Sequence, residues 1–376
     1  MKIQTSLVMR TLLALAMLNA WLSIALALPN GIGPALPDSS FTNPSGALVK
    51  QPSEDAALAM PEAFRLKSAA FNSRLMFMPG TDRLVVAQTN GEVKLVRVPQ
   101  GDVAATFGGL DGQALCLAAS ANGAKIFAGT ETGSIFVWQD GLTNAQIVFH
   151  RNGWPVTALA SSPAGSLVVG ACNGKYVNGT WQKPEQSLLA VDVMTGKTLW
   201  KSRAGRADYQ ALSYAGDGKT LAAVQNAVAA DFVALLDPAT GHVLDRFTSK
   251  GHPRGPLSVA GSSNGKLYAV GYAPNDIGIW DTATGKCLRM IPAHKNWVVT
   301  LAFSPDGSLL ASGAGDSTSC IWEVATGREV GEISFHGVAD EGRYVQSVSI
   351  SSDGRWLAAG CQGECVVAKM PEPLGK

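Results

Sequence analysis

Trp280-Asp281-Thr282-Ala283-Thr284-Gly285-Lys286 is the phrase on which the reading of this chain turns. It returns as Trp322-Glu323-Val324-Ala325-Thr326-Gly327-Arg328, as Val191-Asp192-Val193-Met194-Thr195-Gly196-Lys197 and as Leu236-Asp237-Pro238-Ala239-Thr240-Gly241-His242. Each copy follows an aliphatic or β-branched run and precedes another apolar run. A strand, a polar turn and a second strand, repeated along the chain, describe stacked β-units rather than one catalytic domain.

A second marker sets the period. Ser120-Ala121-Asn122-Gly123, Ser162-Pro163-Ala164-Gly165, Ala215-Gly216-Asp217-Gly218, Ser262-Ser263-Asn264-Gly265, Ser304-Pro305-Asp306-Gly307 and Ser351-Ser352-Asp353-Gly354 are short turns ending in Gly. Their glycines lie about 42, 53, 47, 42 and 47 residues apart, near the ~40–45 of a four-stranded propeller blade. Met78-Pro79-Gly80-Thr81 opens the series and makes seven turns. Gly accepts positive φ without steric cost, and Pro-Asp or Asn before it presets the bend. Val299-Thr300-Leu301-Ala302-Phe303 alternates as a strand does. The seventh unit, from Tyr344 to about Met370, has room for three strands, whereas Glu62-Ala63-Phe64-Arg65-Leu66-Lys67 alternates with no blade of its own. Pairing that segment beside Cys365–Lys369 closes the ring and leaves only short strand edges. The expected fold is all-β: a seven-bladed β-propeller of four-stranded antiparallel blades, closed by the N-terminal strand in the last blade.

Ser304-Pro305-Asp306-Gly307, Leu309-Leu310-Ala311-Ser312-Gly313 and Trp322-Glu323 together resemble a repeat of the WD40 family. The resemblance covers roughly residues 59–370 and is strongest in the last three units. It implies a hydrogen-bonded set made of His294, Ser312, Asp316 and Trp322. Unit five keeps Gly251-His252 and Trp280-Asp281 but has Val270 in place of the Ser. Units one, three, four and seven lack the strand-c Trp, so their blades depend more on apolar packing.

Composition narrows the function classes. The chain has 376 residues, 46% hydrophobic and 16% charged, with 30 basic against 29 acidic residues and a formal charge of +1. That balance gives no electrostatic footprint for nucleic acid. Lys2 and Arg10 precede or open an apolar run over 11–28, and Ala25-Leu26-Ala27 fits the small-x-small cleavage rule. Residues 1–27 are read as a signal peptide; the rival reading is an uncleaved membrane anchor through 11–28. Residues 28–58 are a flexible Pro/Gly/Ser-rich linker, 59–372 the ring and 373–376 a tail. The expected location is periplasmic or secreted, with membrane contact only if the N-terminal segment stays.

Several signals resemble chemistry. Gly261-Ser262-Ser263-Asn264-Gly265 matches G-x-S-x-G but occupies the repeating a–b turn, not a strand-to-helix elbow. Gly196-Lys197-Thr198 resembles the end of a phosphate loop, but Val191 stands where its first Gly belongs. His150, His252, His294 and His336 precede strand a in four units; blades radiate from the axis, so these positions lie too far apart for one metal. No metal and no cofactor are expected. Cys361 and Cys365 span the last b–c hairpin and are read either as a disulfide or as two thiols. Asn178-Gly179-Thr180 is a glycosylation sequon if the source is eukaryotic.

In a propeller, d–a and b–c loops share one face. This chain places there Arg151, Trp154, Tyr176, Trp181, Lys295, Trp297, Arg343 and Tyr344. Aromatic and Arg side chains ringed by polar ones make binding hot spots; equally, such rings cover blade tops. The expected function is a non-enzymatic scaffold outside the cytoplasm that binds a protein or peptide on that face. The alternative is an exported propeller enzyme or cofactor binder, because Leu189–Trp200 also resembles one repeat of the quinoprotein dehydrogenase family.

Overall fold

The computed structural model describes residues 59–67, 71–139, 144–177, 180–182, 186–203, 208–226, 232–248, 255–273, 275–335 and 344–371. The signal peptide, the linker and the tail lie outside the described residues, as do His252, His336, Asn178 and Arg343. Seven four-stranded antiparallel sheets and one two-stranded sheet are formed. The first strands of the seven, Phe71–Phe77, Ala114–Ala119, Val156–Ser161, Asp208–Tyr214, Pro256–Gly261, Val298–Phe303 and Ser347–Ile350, each touch the next, and the last touches the first. They are the innermost strands, a, of seven blades around one axis. The extra sheet, Lys175–Val177 with Thr180–Gln182, is a hairpin inserted between strands b and c of blade three.

Burial explains where simple alternation fails. In blade six every residue of strand b, Leu309–Ala314, is buried. Both faces of that strand meet a neighbouring blade. Ala311 and Ile321 pack with Leu357 and Val366 of blade seven, while Leu310 and Trp322 pack with Ile277 and Ile279 of blade five. Strands buried on both faces become continuous apolar runs. Strand d meets solvent, and Cys287–Pro292 shows the mixed pattern of an edge.

A glycine rule ties the blades together near the axis. Cys116 pairs with Gly129, Ser258 with Gly271, Thr300 with Gly313 and Ser347 with Gly360, always strand a against strand b. In each case the polar side chain reaches the innermost strand of the next blade. Cys116 Sγ donates to Val156 O at 3.3 Å, and Ser258 Oγ to Val298 O at 3.0 Å. Thr300 Oγ1 accepts from Val348 N at 3.3 Å, and Ser347 Oγ donates to Leu75 O at 2.9 Å. Blades three and four pair Ala158 with Ala171 and Ala211 with Val224 and carry no polar atom there, and blade one has Arg74 at the matching position, four residues before its a–b turn. The glycine leaves room for the polar side chain. A Cβ on Gly271 would stand 2.4 Å from Ser258 Oγ and 2.7 Å from Val298 O. Gly271→Ala is therefore expected to cost about 1–3 kcal/mol in denaturant titration; an unchanged midpoint would reject the spacing argument.

The ring closes where the sequence places the closure. Strands Ser347–Ile350, Trp356–Cys361 and Glu364–Lys369 of blade seven receive Glu62–Lys67 as strand d. Phe64 faces Val367, Arg65 faces Val366 and Leu66 faces Cys365. Arg65 Nη1 donates to Glu364 Oε1 at 2.6 Å, and that carboxylate is 4% exposed. The structure adds one contact more. Ala59 bridges Glu332 on the outer strand of blade six, and Met60 N donates to Glu332 O at 3.1 Å. The N-terminal segment thus staples blade six to blade seven.

The disulfide reading is corrected by register. Cys361 pairs with Glu364, and Cys365 pairs with Gly360, across a two-residue turn with Gly363 at φ 80. Residues one apart in such a ladder point to opposite faces. Cys361 accordingly packs between blades six and seven and Cys365 between blades seven and one. Both are free thiols.

Candidate functional site

The d–a loop before blade six is held by its own blade. His294 Nε2 is 2.7 Å from Ser312 Oγ, and Trp322 Nε1 donates to the same oxygen at 2.7 Å. His294 Nδ1 lies 3.1 Å from Asp316 Oδ2 and 3.1 Å from Thr318 Oγ1. The next peptide joins in, as Lys295 N donates to Asp316 Oδ2 at 2.8 Å. Ser, His and Asp here stand in the order of a hydrolase triad, but Ser312 is 0% exposed and His294 7%. A nucleophile must reach substrate. This hydroxyl is sealed beneath Trp322 and serves as a joint. Burial opposes ionisation of Asp316, yet the bond and charge of His294 and the bonds from Thr318 and Lys295 hold its carboxyl well below the usual range.

The joint fixes the loop surface above it. Gly315 N donates to Trp297 O at 3.0 Å. A Cβ on Gly315 would stand 2.9 Å from the Tyr344 ring and 3.1 Å from Asn296 Cγ. The b–c turn of blade six is thus a saddle between the loop carrying Lys295 and Trp297 and the loop carrying Tyr344. Lys295 is exposed, and Trp297 and Tyr344 are half-buried.

Blade two reaches a similar end with inverted chemistry. Asp111, in its d–a loop, accepts from Thr130 Oγ1 at 2.9 Å, from Thr132 Oγ1 at 2.5 Å and from Ser134 Oγ. Ser134 Oγ is also 2.7 Å from His150 Nδ1. Burial raises the Asp111 pKa, but the Ser134, Thr132 and Thr130 hydroxyls outweigh it and hold the carboxyl below its ordinary value. His150 ends strand d of blade two and bonds back into that blade; it does not head blade three. Arg151 N donates to Gly133 O at 2.9 Å and Gly153 N to Thr132 O at 3.0 Å. Trp154 then packs half-buried on the core between blades two and three, with Arg151 Cζ 6.0 Å from its ring centroid. Sequence reasoning missed Asp111; the alternating hydroxyls Thr130, Thr132 and Ser134 were the available signal.

The structure groups the predicted residues in two places. Arg151 and Trp154 stand at the start of blade three; Lys295, Trp297 and Tyr344 stand at the starts of blades six and seven. Blades three and six are as far apart as a ring of seven allows, so the aromatic rim is two clusters facing each other across the channel mouth. Tyr176 and Trp181 lie on the separate hairpin; their side chains, like Arg343, fall outside what is described.

The packing also shows what incomplete repeats leave behind. Trp138 and Trp280 occupy the position of Trp322 in blades two and five, but Ala128 and Val270 replace the Ser beneath them. Among the described residues the Trp138 indole N–H is buried without a hydrogen-bond partner, while that of Trp280 is turned to Tyr272. Cys320, Glu329 and Glu332 bring one donor atom each within 4.8 Å of one another on the outer half of blade six. Burial raises the pKa of both Cys320 and Glu329.

Residues 285–323 and 327–367 match the family model described as WD domain, G-beta repeat. Each match begins at or near a c–d turn and ends in or just after a strand c, so one sequence repeat supplies strand d of one blade and strands a to c of the next. That phase explains why the last blade needs a strand from the N-terminus. No curated protein matches the chain.

Proposed function

We propose that this chain, a WD40-repeat β-propeller of seven blades, is a non-enzymatic scaffold outside the cytoplasm that holds a protein or peptide partner on the face of its d–a and b–c loops. WD40 propellers commonly mediate contacts between proteins. The observation that carries the reading is the bonding of d–a loops onto b–c turns at Gly133 and Gly315, which presents Trp154, Trp297 and Tyr344 half-buried beside Arg151 and Lys295. A surface already fixed loses little entropy on docking. Half-buried aromatic anchors suit a desolvated contact. The apolar segment behind Lys2 and Arg10 supports export.

Crosslinking in the native compartment, followed by mass spectrometry, identifies the captured partner. A Trp154→Ala/Trp297→Ala double variant is expected to fold and to lose about 2 kcal/mol or more of binding, roughly thirtyfold in Kd. Capture at wild-type strength by that variant would remove the aromatic rim from the interface.

A further inference from the structure

The seven innermost strands carry almost no charge. Arg74 is their one Lys or Arg, and their one carboxylate is Asp208, on blade four across the ring. Arg74 extends from blade one to blade seven, where Nη1 donates to Gln346 O at 3.1 Å. Gln346 lies two residues beyond Tyr344, just before strand a of blade seven begins, so the guanidinium sits at the d–a end of the central channel. Its side chain is half-buried, and burial depresses its pKa. Among the described residues it makes no ion pair.

A guanidinium has five N–H donors in a rigid fork and does not give up its charge. One bond to a carbonyl leaves most of that fork unused. Confined by neighbouring strands, the charge is also poorly compensated by water, which makes an unpaired cation costly. An oxyanion of matching planar geometry relieves both, through two parallel charge-assisted bonds. The seats beside it are small or polar: Ser347 and Ser349 spend their hydroxyls on Leu75 and Phe77 backbone atoms and place no negative charge there.

We infer that Arg74 makes this end of the channel a binding site for an oxyanion, a carboxylate or phosphate group that the docked partner inserts between the two aromatic clusters. This rests on the docking face proposed above, but the site itself is testable with small anions and without the partner. The purified ring is titrated with sodium phosphate and, separately, with sodium acetate, at ionic strength held constant with chloride, while Tm and Trp fluorescence are followed.

Wild type is expected to show a saturable change in Trp fluorescence, with Tm raised by about 2 °C at ten times Kd, for at least one of the two anions. The stronger responder tells phosphate from carboxylate. Arg74→Gln is expected to lose the response entirely and, without anion, to be at least as stable as wild type, since it removes an uncompensated charge. Equal responses in wild type and variant, or no saturation up to about 100 mM against a chloride control, would overturn the assignment. So would marked destabilisation of Arg74→Gln, which would mean that a carboxylate of this chain already pairs with the guanidinium. Loss of partner capture by the Trp double variant with the anion response intact would separate the two claims.

Discussion

A chain that begins after Lys67 loses the closed ring. Strand Glu364–Lys369 then becomes an open edge. Its residues Val366, Val367 and Ala368 are 0% exposed in the complete molecule. Phe64 and Leu66 are half-buried against the core between blades seven and one, and removing them forfeits at most about 1.5–3 kcal/mol for each. Glu364, buried at 4% exposure, loses Arg65, and breaking a buried pair by deleting one partner costs about 3–5 kcal/mol. The sum is comparable to the roughly 5–15 kcal/mol that holds an ordinary domain together. Met60 would also leave blade six, so two blades are affected. The expected outcome is an aggregating or largely unfolded product, because an unpaired apolar edge recruits other chains. Size-exclusion chromatography with near-UV circular dichroism decides it. A monomer with native near-UV signal and an unchanged denaturation midpoint would show that the closing strand is dispensable.

Ser312→Ala is expected to be the most damaging single-atom change. The oxygen removed serves both Trp322 Nε1 and His294 Nε2 at 2.7 Å. Neither group can turn to water, since Trp322 is 1% exposed and His294 7%. Each stranded polar group costs about 1–3 kcal/mol, so roughly 2–6 kcal/mol is expected overall. Asp316 gives this joint a pH signature. Its folded pKa is depressed, so its contribution is present above the unfolded value of about 4 and is lost as pH falls through the folded one. Urea midpoints measured from pH 7 down to about 3 should therefore fall at the acid end in wild type, and fall less in Asp316→Asn. If Ser312→Ala matched wild type in stability, or Asp316→Asn kept the full acid slope, the joint would not be load-sharing in the way described.

Much of this was readable because the repeats are local. The turn glycines, the Thr-Gly phrase and the alternating segment at Glu62–Lys67 gave blade number and closure from spacing alone. The blade-six joint followed from family resemblance at four positions. What escaped reading depended on register or on neighbours distant in sequence. Cys361 and Cys365 are separated by three residues, and only the two-residue turn that puts Cys361 opposite Glu364 sends them to different faces. Asp111 lies 39 residues before His150 in the chain yet shares Ser134 with it.

Sequence by itself determined the period, the count of seven and the strand that closes the ring, because a blade's turns and apolar runs are written within about 40–50 consecutive residues. Tertiary structure alone decided which side chains meet between blades. The pairing of Ser258 with Val298, the saddle of Tyr344 on Gly315 and the reach of Arg74 to Gln346 join residues 29 to 272 positions apart. Such contacts arise only after the ring has fixed the distance between neighbouring sheets, and no local pattern records that distance.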